Sequence, residues 1–165
     1  MKLTVVSIIV ASMIASPALA TDKKLQSISS KFILEAKSLK ANGKLTEAQF
    51  ALEKALVADP QNASILVALG EIHEAQGHVG KGLKYYRNAL YVDPASKHAL
   101  KNQALAFLKK ELVTKAEITR EKLHAICKGT CEELSFVQQA ITAYKEKKTA
   151  ELTAEIEKSE ETEKQ

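Results

Sequence analysis

The sequence predicts an all-α protein, a short α-solenoid of helical hairpins closed by a C-terminal helical cap. Three observations carry that prediction. Aromatic residues make up 5% of the 165 residues, Trp is absent, and Ala, Leu, Lys and Glu dominate, a usage that favours helix and offers no strand signal. Small residues recur with a period of thirty-four, at Ala36, Gly70 and Ala104 and again at Ala48, Gly82 and Ala116. Helix-stopping residues keep the same phase, Gly43 with Gly77 and Asp59-Pro60 with Asp93-Pro94. A helical pair cannot bury its apolar face alone, so repeated pairs stack, and small residues are needed where their backbones cross.

The chain opens with Met1-Lys2, an apolar run from Leu3 to Ile14, then Pro17 and Ala18-Leu19-Ala20 before Thr21. A basic start, an apolar stretch and an A-x-A site form a secretory leader, with cleavage expected between Ala20 and Thr21. The run is shorter than the roughly 20 residues a membrane span needs, and Pro17 interrupts it. No Cys stands after the leader to accept lipid. The expected product is periplasmic or secreted, with no stable membrane anchor after cleavage.

Residues 21–128 read as helical repeats, divided as 29–62, 63–96 and a partial 97–128. In the first, Phe32, Ile33, Ala36 and Leu39 lie at helical spacing up to Gly43. A second helix follows from about Thr46, a candidate cap, through Ala48, Leu52 and Ala55-Leu56 to Asp59. Glycines 43 and 77 suit a left-handed helix end. The second repeat, from Ala63, has Leu66, Leu69-Gly70, His73, Gly77, Gly82, Tyr86, Ala89 and Pro94 as landmarks. Gly82 stands inside a helix at a cost of about 1 kcal/mol relative to Ala, which predicts a soft second helix. The third begins near Lys97 with Leu100, Ala104, Phe107 and Leu108, but no Gly occupies the expected turn. Lys115 to Cys127, bearing Ile118, Leu123 and Ile126, is either a degenerate second helix or an unrelated closing one.

A C-terminal helix is expected over 129–158. Gly129 can end the preceding helix, and Thr130 with Glu133 forms an S/T-x-x-E capping box. Leu134, Val137, Ile141 and Tyr144 give an apolar stripe that thins to Leu152 and Ile156. The tail 159–165 has no apolar residue and is expected to be disordered.

The landmarks of 63–96 resemble those of the tetratricopeptide repeat (TPR) family, of exported bacterial type, in the order large-x₂-Leu-Gly-x₂-aromatic … small-x₃-aromatic-x₂-Ala … Pro. Departures are Glu35 and Gln103, where the central repeat has Leu69, and Gly82 in place of Ala. The resemblance implies a repeat core containing Ala36, Leu69, Gly70, Tyr86, Ala89, Pro60 and Pro94. It also implies a concave groove for an extended peptide or a partner's helix. By register that groove comprises Ser30, Ile33, Lys37 and Lys40, then Ser64, Val67, Glu71 and Glu74, then His98, Lys101 and Leu105. The family's carboxylate clamp is not supported, because Ile33, Ala68 and Asn102 stand at clamp places. The expected function is an exported protein-interaction module or adaptor with an unidentified protein or peptide partner. The alternative is an assembly subunit that homo-oligomerises through its terminal helices.

Candidate chemistry is sparse. Cys127 and Cys131, an even pair in an exported chain, read first as a structural disulfide. A redox pair would prefer C-x₂-C, and a metal site with His124 lacks a fourth ligand. His73 takes a core-facing family position, while His78, His98 and His124 read as surface residues. Tyr86 holds the family's aromatic core position; Tyr85 and Tyr91 are expected to pack on neighbouring helices. No catalytic set or phosphate-cradling loop can be assembled, so neither enzymatic activity nor a cofactor or metal is expected. The net charge of +4 is spread without a basic stripe, so nucleic acid is not an expected partner.

Overall fold

The computed structural model describes residues 18–163. Seven helices and no strand occur among them: α1 (Ala18–Ala41), α2 (Leu45–Ala58), α3 (Ala63–Ala75), α4 (Val79–Val92), α5 (Lys97–Lys109), α6 (Val113–Cys127) and α7 (Glu132–Glu163). They pair as hairpins α1–α2, α3–α4 and α5–α6, which stack in chain order, and α7 lies against α5 and α6. Residues 1–17 of the expected leader lie outside the described part. The expected cleavage point, Ala20–Thr21, falls within α1.

Three turns inside the hairpins are built alike. The N–H of Lys44 donates to the carbonyl of Leu39 at 2.9 Å, that of His78 to His73 at 2.8 Å, and that of Leu112 to Phe107 at 2.9 Å. Each bond closes over a residue of positive φ: Gly43 at 72°, Gly77 at 82° and Glu111 at 59°. Glu111 thus takes the backbone conformation of the missing glycine. The third unit is a full hairpin, and α6 is its second helix.

Between hairpins the caps are side chains. Asn62 Oδ1 accepts from the N–H groups of Ser64 and Ile65 at 3.1 and 3.3 Å, and Ser96 Oγ accepts from Ala99 at 3.4 Å, satisfying donors that a helix start leaves open. Thr46 does not cap α2, which starts one residue earlier behind Lys44 without a side-chain cap bond. Pro60 and Pro94 are exposed. They punctuate turns and do not belong to the core, because each follows the C-cap Asp of its helix.

All six in-phase small residues are buried. A Cβ on Gly82 would stand 3.0 Å from the carbonyl oxygen of Gly70, and one on Gly70 would stand 2.3 Å from the ring of Tyr86. The departure to Gly82 therefore lets α4 close onto α3, and Gly70 admits the aromatic ring between them. Around these crossings Leu52, Ile65, Leu69, Ile72 and Tyr86 are at most 3% exposed. Each such side chain contributes about 1.5–3 kcal/mol by leaving water.

The cap is also in phase. Leu66, Leu100 and Leu134 are spaced by thirty-four, as are His73, Phe107 and Ile141, and Leu134, Val137 and Ile141 are buried with Leu100, Leu108 and Leu123. α7 thus occupies the place of a fourth first helix. A disulfide joins Cys127 to Cys131 across the α6–α7 turn, where Lys128 and Gly129 both have positive φ. Because α7 begins at Glu132, Thr130 precedes the N-cap position and the expected capping box does not form; Glu133 faces His98 at 3.6 Å. α7 continues to Glu163, into the stretch 159–165 expected to be disordered, where glutamates, good helix formers, extend it.

Candidate partner-binding groove

The first helices line one face. Between α1 and α3 lies a hollow of about 290 Å³ bounded by Ile33, Ala36, Lys37 and Lys40 of α1 and by Ser64, Ile65, Ala68, Glu71 and Ile72 of α3, with Leu52 of α2 beneath. Its floor is aliphatic because the core positions of α1 and α3 do not fully meet there. A second hollow follows between α3 and α5, with Glu71, Glu74, Asn102, Leu105 and Lys109 at its edge and Tyr86 at its base.

The charges of this face answer one another. Lys40 Nζ lies 2.6 Å from Glu71 Oε2, Asn102 Nδ2 donates to Glu71 Oε1 at 2.9 Å, and Lys109 Nζ lies 2.5 Å from Glu74 Oε2. α1, α3 and α5 are thereby tied through two glutamates. Lys40 and Lys109 are about half exposed, so these pairs hold geometry more than they stabilise. Beneath them, burial, a hydrogen bond to Glu74 and the nearby Glu71 raise the Tyr86 hydroxyl well above the ordinary tyrosine pKa, so it stays neutral.

Ile33, Lys37, Lys40, Ser64 and Glu71 line the first hollow, while Glu74 and Leu105 line the second. Three groove expectations are corrected. Val67 is 7% exposed and packs with Tyr86, Ala89, Ala99 and Ala106, because α5 covers that side of α3. Lys101 is turned to α7, its Nζ 5.8 Å from the centre of the Phe136 ring, and His98 faces Glu133. The register of Ile33, Val67 and Lys101 thus leans toward the next first helix. The register one residue later, Ala68 and Asn102, reaches the hollows; the sequence places both at clamp positions but outside the groove set, and Lys109 was missed.

Other aromatic positions divide. His73 is buried and stacks on half-buried Tyr85, ring centroids 5.1 Å apart. Tyr91 does not pack on a neighbour: it is 89% exposed.

Residues 33–91 match the family model described as tetratricopeptide repeat. That stretch, from α1 into α4, is of the tetratricopeptide-repeat type. A search of curated proteins finds no match. Among solved structures, its TPR fold is similar to the first TPR of Spaghetti (RPAP3) bound to the HSP90 peptide SRMEEVD, with 14% identity over 72% of this chain and 94% of that one and a TM-score of 0.63. It is similar to the Sgt2 TPR domain from Aspergillus fumigatus, with 22% identity, coverage of 72% and 78%, and a TM-score of 0.64. It also resembles the Yersinia enterocolitica type III secretion chaperone SycD in complex with a peptide of the translocator YopD, with 22% identity, coverage of 82% and 98%, and a TM-score of 0.62. What this chain shares with these structures is the fold of stacked helical hairpins.

Proposed function

We propose that this protein is an exported adaptor that holds a peptide or a partner's helix in the groove along α1, α3 and α5. The observation that carries the reading is the aliphatic floor of Ile33, Ala36, Leu52, Ile65 and Ala68, left open beside paired charges. An apolar side chain of a partner would fill that floor, with Lys40 and Asn102 donating to its backbone carbonyls and Glu71 accepting from its N–H groups. Two neighbours of the same fold hold peptides, which supports a peptide-sized ligand. The leader at residues 1–20 supports export.

A photoreactive residue at Ala68, with a control probe at exposed Glu47, tests the groove in living cells. The expected result is a partner captured at Ala68, not at Glu47, and lost in Ile33→Glu. Equal capture at both probes, or capture insensitive to Ile33→Glu, would overturn the reading. The intact mass of the exported chain tests the leader, with a mature start at Thr21 expected.

A further inference from the structure

The face built by the second helices holds another groove, independent of the adaptor reading. Between α4 and α6 lies a hollow of about 470 Å³ whose apolar lining includes Leu90, Tyr91 and Ile118, with Arg87, Lys115 and Lys122 around it. Tyr91 and Ile118 are 89% and 53% exposed. No acid lines the hollow, and the ion pairs among the described residues leave these three cations out. α4 contains no acid at all, and its Lys81 and Lys84 line a separate hollow with Gln49, His73 and Tyr85. The basic surround of Tyr91, absent from the linear sequence, is thus assembled by the fold. In the concave groove, by contrast, lysines and glutamates already satisfy one another.

The same chain contains a segment of opposite character. α7 is held to the body by Lys145 with Glu117 and Lys148 with Glu111. Beyond these pairs, residues 151–163 include six glutamates and one lysine, and Leu152 is 59% exposed on that stretch. Being the end of one continuous helix packed on α5 and α6, it cannot bend back into its own α4–α6 hollow. We infer that the acidic end of α7 docks in the α4–α6 groove of a second copy, with Leu152 entering the apolar floor, Glu155 on the same helix face meeting Arg87, Lys115 and Lys122, and Glu157 on the far side of the helix adding to its negative field. Each copy then offers one groove and one helix end, a head-to-tail contact that can continue past the dimer.

Sedimentation of the purified full chain at low salt tests this with two charge-reversed variants, Arg87→Glu/Lys122→Glu and Glu155→Lys/Glu157→Lys. All four side chains are exposed, so the fold is kept, which circular dichroism checks. Wild type is expected to self-associate, and each variant alone to do so at least about tenfold more weakly. In an equimolar mixture of the two variants the intact helix end of one meets the intact groove of the other, and the reversed end meets the reversed groove, so head-to-tail association is expected to be restored. A monomeric wild type, variants that associate as wild type does, or a mixture that stays monomeric would overturn the inference. So would capture of a single-stranded oligonucleotide through Arg87 and Lys122 without self-association.

Discussion

At Gly70 the absent Cβ is the space in which the Tyr86 ring sits, with three ring atoms within 2.9 Å of where that carbon would stand. Ala there gains about 1 kcal/mol of helix propensity, but overpacking a filled core costs about 1–3 kcal/mol, and a ring held between two helices has nowhere to retreat. Gly70→Ala is therefore expected to lower unfolding stability by about 1 kcal/mol, and by no more than about 2, read from the urea midpoint. An unchanged midpoint would show that α4 can move off α3 freely. His73, three residues on, is a different case. Burial, then Lys81 and His78, hold its pKa below the ordinary value of 6.5, so the unfolded chain takes up the proton first. This stabilising contribution is complete above about pH 6.5 and is lost as pH falls from there through the lowered folded pKa. His73→Phe is expected to flatten the wild-type loss of stability between pH 6.5 and 5, measured as urea midpoint against pH.

The helices were legible because their apolar spacing and their stops repeat together, and Gly43 and Gly77 located two of the three inner turns. The third was concealed by chemistry: Glu111 carries the left-handed φ of 59° in a residue type that rarely adopts it, so sequence alone left α6 ambiguous. A non-glycine residue in that conformation costs about 1–2 kcal/mol. What Glu111 returns is an ion pair with Lys148 in which its own side chain is 70% exposed, and such pairs contribute little. Glu111→Gly is accordingly expected to raise stability by about 1 kcal/mol, seen as a higher denaturation midpoint at an unchanged slope. A fall would mean that the Lys148 contact anchors α7 more strongly than its exposure implies. The phase of α7 was hidden for a related reason. Leu134 and Ile141 follow the repeat, but Gln138 stands where the earlier units have Ala36, Gly70 and Ala104, so the stretch reads as unrelated to them.

Across the whole molecule, the architecture was readable and the groove only partly so, because register gives the direction of a side chain and not what the next helix covers. Val67 and Lys101 keep the register of Ile33, yet only Ile33 reaches the hollow, since α5 and α7 have already been laid over the other two. α7 closes the stack that α1 opens. In a solenoid each unit is held only by its neighbours, so the Cys127–Cys131 bond acts on one end of the chain. By chain entropy a five-residue loop contributes about 2 kcal/mol, and its loss falls on the α6–α7 junction and the cluster of Leu134, Val137 and Ile141. The variant Cys127→Ser/Cys131→Ser is expected to speed hydrogen exchange in α7 well before α3, because α3 keeps neighbours on both sides. Equal acceleration in α3 and α7 would instead make the three hairpins and the cap a single cooperative unit, in which a ligand seated between α1 and α3 would tighten α7 as well.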